Sequence, residues 1–170
     1  SAGNRGPSNG TITPPHEHPS VIAVGATGED GKITDFSSRG PGKYQGKETE
    51  KPDLTAPGDD ILSSLPGGRF GKLSGTSMAA PAVTGAVALI LQVEPKLNPM
   101  QIREILTKTT VATNEDGTAY TGGGRGPWNK VYGLGKMNIY QAVKTAAELA
   151  GAHRAMERGF LDLNWFMLHS

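Results

Sequence analysis

Apolar positions fall in short blocks punctuated by glycine and proline. In SVIAVGAT the run Val21–Val24 is continuous and is closed by Gly25. That is the pattern of a strand buried on both faces, as in a parallel sheet. KITDFSSRGPG ends in a turn cluster. DLTAPG and DILSSLPGG are short segments with hard stops, and the second predicts a strand. From Met78 to Leu91 every residue except Thr84 is apolar or small. Fourteen such residues are too few to span a bilayer, so the pattern predicts a core helix buried all round. Pro81 falls in its first turn, where a missing N–H costs little, and Pro95 lies just beyond its end.

Two amphipathic segments follow. LNPMQIREILTKTT predicts a helix with Asn98 as its cap, Pro99 at the first helical position and Gln101 at capping-box spacing. Ile102, Ile105 and Leu106 form its apolar face. Residues 111–135 read as a glycine-rich loop with a short strand near Val131. MNIYQAVKTAAELAG predicts a third helix, capped by Asn138, with Ala142, Val143, Ala146 and Leu149 turned inward. Strands followed by helices indicate an α/β domain. About three strands are legible, and a helix apolar all round needs neighbours on every side. The chain is therefore expected to supply part of a larger core.

Composition narrows the chemistry. Hydrophobic residues make 36% and charged residues 19% of 170 residues, ordinary values for a globular domain. The net charge of +1 gives no reason to expect a nucleic acid or an acidic membrane as partner. Cysteine is absent, which excludes disulfides, thiol catalysis and cysteine-ligated zinc.

Ser77, in GTSMAAPAVTG, stands at or just inside the N-terminus of the apolar helix. Unpaired N–H groups and the positive helix end favour negative charge there. An oxyanion formed by attack of Ser77 on a carbonyl would lie close to the Ser77 N–H. Gly75 permits a tight approach, and Ala79 and Ala80 leave room for a substrate. Read alone, the same serine, or Thr76, would serve as a helix cap.

GTSMAAP closely resembles the nucleophile motif of the subtilisin-like serine proteases, the subtilases, and Met78 favours the subtilisin branch over the related sedolisins. SAGN, HPSVIAVGA, FSSRGP, DLTAPG and GLGKMNIYQAV resemble further segments of that family in order and spacing, over residues 1 to about 150. The resemblance implies the C-terminal portion of a three-layer α/β domain, with a mainly parallel sheet and a buried central helix starting near Ser77. Residues 151–170 lie beyond it as a C-terminal extension.

By the same resemblance Ser77 is the nucleophile, and the Asn4 side-chain amide gives a second oxyanion donor. Ser1, Ala2 and Gly3 would wall the pocket for the residue before the cut bond. Arg5 would stand at its rim and disfavour basic side chains, and Thr76 would take part in substrate binding. The triad runs Asp, His, Ser along the subtilisin chain, so its first two members are expected upstream of residue 1. A polypeptide substrate follows from the family, with the upstream half of the domain as a separate chain or with self-association of this one. The alternative is a catalytically silent truncated piece. Secretion is the family's usual compartment.

Four histidines remain. His16 and His18 flank Glu17 in PPHEHPS, a proline-bounded loop whose alternation suits solvated surface better than zinc. Family members often bind a structural calcium or other cation near this loop through backbone carbonyls, helped by an acid in the region of Asp53; catalysis requires no cofactor. His153 and His169 match no family motif. The tail GAHRAMERGFLDLNWFMLHS would form an apolar patch if unpaired, through Phe160, Leu161, Leu163, Trp165, Phe166, Met167 and Leu168.

Overall fold

The computed structural model describes residues 1–122 and 126–157, the side chains of residues 154–157 excepted. The apolar cluster of the tail and His169 lie outside the described residues. Among the described residues six strands precede three helices: β1 (Val24–Thr27), β2 (Gly42–Tyr44), β3 (Lys47–Thr49), β4 (Leu54–Pro57), β5 (Ile61–Leu65), β6 (Arg69–Leu73), α1 (Thr76–Val93), α2 (Pro99–Lys108) and α3 (Ile139–Glu157).

β1 and β4 pair in parallel, Val24 opposite Leu54 and Thr27 opposite Pro57. The strand begins where the apolar run was expected to end. Val21 is held in a turn instead, its N–H donating to His18 C=O at 3.0 Å. Alternation along this segment separates two faces. Val24 and Ala26 join the main core, whereas Ala23 packs with Ala2 and Ile12 on the opposite side. β2–β3 and β5–β6 are antiparallel hairpins. The first, in PGKYQGKETE, has no apolar alternation to announce it. The short strand expected near Val131 is a turn, in which Asn129 and Gly133 exchange backbone hydrogen bonds.

α1 packs on β1, β4 and α3. Its 18 residues and mean hydropathy of 1.5 would suffice, by length and composition, to cross a membrane, so the fourteen-residue reading of its length was short. Its packing is that of a core helix on one face. Thr76, Ala79, Val83, Ala86 and Ile90 are buried. Thr84, Gly85, Ala88 and Leu89 are exposed. Among the described residues the helix is thus covered on one side rather than all round, because the strands and α3 occupy only that side.

α2 carries the expected capping box. Asn98 Oδ1 accepts from Gln101 N–H at 3.0 Å and Gln101 Oε1 accepts from Asn98 N–H at 2.9 Å. Ile102, Ile105 and Leu106 are buried. Asn138 caps α3 through Gln141 N–H at 3.1 Å. Ala142 and Ala146 are buried in the main core, with Val143 and Leu149 partly buried against it. At the far end of α1, buried Glu94 pairs with His153 Nδ1 at 3.1 Å and ties α1 to α3.

The two faces of α1 should respond differently to truncation. Ile90 is fully buried, so Ile90→Ala should cost about 3 kcal/mol. Leu89 is 45% exposed, so Leu89→Ala should cost under about 1 kcal/mol in the chain by itself. Urea denaturation of both variants checks the contrast.

Candidate active site

Two segments far apart in sequence meet at the start of α1. The helix has no local side-chain cap; Gly75 occupies the cap position. The capping group comes from 72 residues upstream. Asn4 Oδ1 accepts from Thr76 N–H at 2.9 Å and from Thr76 Oγ1 at 2.8 Å. The Thr76 hydroxyl in turn accepts from Gly3 N–H at 3.2 Å. Thr76 itself is buried. Because Oδ1 is held by two donors, the Asn4 amide has one orientation, and its Nδ2 is left as a donor with no partner among the described residues. A Cβ on Gly75 would stand 3.2 Å from that Nδ2, so a side chain there would crowd the amide.

The N–H groups of the first turn are distributed unevenly. Thr76 N–H goes to Asn4, and Met78 N–H goes to Gly75 C=O at 2.9 Å. Ala79 N–H reaches the same carbonyl at 3.4 Å. Ser77 N–H and the Ser77 hydroxyl have no hydrogen-bond partner among the described residues, and Ser77 is exposed. An exposed hydroxyl, its own free N–H and the free Nδ2 of Asn4 therefore share one helix N-terminus. Such donors stabilise negative charge that develops beside them.

The loop bearing Asn4 is fixed from both sides. Ala2 N–H donates to Val24 C=O at 2.8 Å, and the buried Ala2 side chain packs with Ile12 and Ala23. On the other side Ser38 N–H donates to Gly3 C=O at 2.9 Å, and Gly6 N–H to Phe36 C=O at 2.9 Å. Ser38 Oγ accepts from Arg5 N–H at 3.0 Å. Gly3 has φ 100°, a left-handed turn that glycine adopts without strain. Ser1 is half-buried, and Arg5 is exposed beside Asn4.

Among the described residues the histidines, His16, His18 and His153, do not assemble on Ser77. His153 is held at the other end of α1, about 25 Å away at 1.5 Å per residue. His18 Nδ1 accepts from Ser20 N–H at 3.1 Å, and its ring meets Tyr44 edge-on at 4.6 Å. His16 lies next to Gly3. Glu17, expected in solvent with its neighbours, is buried. Among the described residues no three His, Cys, Asp or Glu side chains converge as metal ligands would. Asp53 is also buried, and its carboxylate already meets two cations, Lys51 and Arg103.

The profile of the subtilase family matches residues 1–135. This chain belongs to the subtilase family. It is 42% identical over 145 residues to subtilisin E of Bacillus subtilis, which covers 84% of this chain and 32% of that relative. It is 39% identical over 154 residues to serine protease AprX of the same organism, covering 78% and 34%. Among solved structures, the prenylagaramide maturation protease PagA superposes with a TM-score of 0.67 at 32% identity, over 84% of this chain and 48% of that one. The chain spans about a third of the length of these curated relatives.

The sequence singled out Ser77 and Asn4, and the structure brings the two together at the start of α1. The structure adds supports around Asn4 that the sequence did not assign. Thr76 holds Asn4, Ser38 holds the Asn4 loop, and Ser37 Oγ accepts from Ala26 N–H at 3.1 Å beneath it. Ser37 and Ser38 lie in FSSRGP, which pattern alone shows only as a turn. Thr76→Val removes the shared hydroxyl at nearly constant volume. It leaves Gly3 N–H without its acceptor, and unfolding stability should fall by about 1–2 kcal/mol. Thr76→Ser should recover most of that loss in the same denaturation experiment.

Proposed function

We propose that this chain is the C-terminal part of a subtilisin-like serine endopeptidase, which hydrolyses peptide bonds through an acyl-enzyme on Ser77. The observation that carries the reading is the pair of unpartnered donors, Ser77 N–H and Asn4 Nδ2, beside the exposed Ser77 hydroxyl. Ser77 Oγ attacks the scissile carbonyl carbon. The carbonyl oxygen takes the negative charge and lies between the two donors. The Ser77 proton passes to a histidine supplied, with its orienting aspartate, by an upstream segment; that base then protonates the leaving amine. Water deacylates the enzyme by the same route.

Thr76 positions Asn4 rather than touching substrate, since its hydroxyl is engaged by Asn4 and Gly3. Ser1–Gly3 form one wall of the pocket for the residue before the cut bond, with Arg5 at the rim. Secretion is the compartment that the family resemblance favours. The substrate is a polypeptide, and the partner is the upstream half of the same domain. The exposed small-residue face of α1 supports that partner, because a helix of this hydropathy is stabilised by cover on both sides.

A second reading keeps the chain silent and self-associating. It is favoured by the absence of a base beside Ser77 among the described residues. It is also favoured by exposed Leu62, Phe70 and Leu73 on the β5–β6 hairpin, at 64%, 75% and 48%.

A fluorophosphonate probe separates the two readings. Ser77 should be labelled when the upstream half is present, and labelling should vanish in Ser77→Ala. Labelling of neither form would support the silent reading, and sedimentation would then show self-association. In the active form, Asn4→Leu should lower kcat by about 10²–10³, the loss measured for the corresponding donor in a subtilisin, with little change in KM.

A further inference from the structure

A lysine stands where the resemblance places a structural cation. Lys51 is buried to 1% exposure and Asp53 to 2%. The Lys51 ammonium donates to Asp53 Oδ2 at 2.8 Å and to the backbone carbonyl of Val21. Asp53 Oδ2 also accepts from Ala23 N–H at 2.7 Å. The other carboxylate oxygen, Oδ1, pairs with Arg103 Nη2, and Arg103 Nη1 donates to Pro19 C=O. Two side-chain cations thus close the loop of residues 19–23 onto β4 and α2 through its own carbonyls.

The donor set of this site is that of a hard cation: a carboxylate oxygen and a main-chain carbonyl oxygen facing a single positive centre. The positive centre is covalent. A metal ion would have to displace a buried ammonium from both oxygens, and it would then stand beside that ammonium and the Arg103 guanidinium. Like charges at such separations, away from water, oppose it strongly. The residues present therefore do not fit a metal ion. Burial pushes the Lys51 pKa below its ordinary value, with Asp53 opposing the shift.

We propose that the Lys51 ammonium is a built-in replacement for a structural cation at this loop. The loop that carries PPHEHPS is then fastened without calcium or an alkali metal, and only loss of the lysine creates a cation-binding site there. This inference concerns stability and does not depend on the proposed protease activity.

The test is a thermal-unfolding cycle on the full chain, with any upstream half present. Wild type and Lys51→Met are compared in chelator, in calcium, in sodium and in potassium. Wild type should show no stabilisation by any cation that Asp53→Asn removes. Lys51→Met should lose about 10 °C in Tm in chelator, and one of the three cations should return most of it. Equal cation responses in wild type and Lys51→Met would overturn the proposal.

A second measurement needs no variant to fold. Acetylation of native wild-type protein, read by mass spectrometry, should leave Lys51 unmodified with and without added cation. Labelling of Lys51 when calcium, sodium or potassium is added would mean that the ion displaces the ammonium, and the proposal would fail.

Discussion

Thr76 Oγ1 both donates to Asn4 and accepts from Gly3, inside a buried junction between the first residues of the chain and the start of α1. A hydroxyl does both through a single oxygen atom. The contact fixes which way the Asn4 amide faces and so leaves Nδ2 as the free donor. It also consumes Thr76 N–H, so that the next amide along the helix, Ser77 N–H, is the one left over. The chemistry available at Ser77 follows from that arrangement.

The junction is only as firm as the sheet beneath it. The segment from Ala23 into β1 contributes to both faces of the domain through simple alternation. Val24 and Ala26 meet the helices, and Ala23 meets Ala2 and Ile12 under the Asn4 loop. The same strand is anchored just before its start by Asp53, which accepts from Ala23 N–H and returns its own N–H to Ala23 C=O at 2.9 Å. Buried charge is costly unless every oxygen is matched. Here Lys51, Arg103 and a backbone amide match both carboxylate oxygens. The ion network and the donors beside Ser77 are thus two ends of one chain of contacts, from α2 through Asp53 and the segment of β1 to the loop that holds Asn4.

The one-sided cover of α1 sets the character of the chain. Its inner face packs as a core helix against β1, β4 and α3, and its outer face carries small residues with Leu89 exposed. Apolar surface of that kind is stabilised when removed from water. The helix that presents Ser77 is therefore also one that gains from a partner on its outer face.

Local signals were enough for the parts of the fold whose interactions are local. The α2 capping box, the Asn138 cap and the inward faces of both helices follow from spacing alone, since each is made within one turn. Ser77 and Asn4 were legible because a long motif and its ordered companions resemble a family. The start of β1, the β2–β3 hairpin and the turn at Val131 were not legible. Their hydrogen bonds go to residues distant in sequence or have no apolar alternation behind them. Read alone, Thr76 is a cap and Ser38 part of a turn, and Lys51 carries no signal of its own until the chain folds. Their roles arise from contacts to Asn4, Arg5 and Val21, up to 72 residues away. Sequence by itself singled out Ser77 and Asn4 as the candidate side chains. Only tertiary structure decided which donors are left free and which charge is buried, because both depend on partners brought together across the fold.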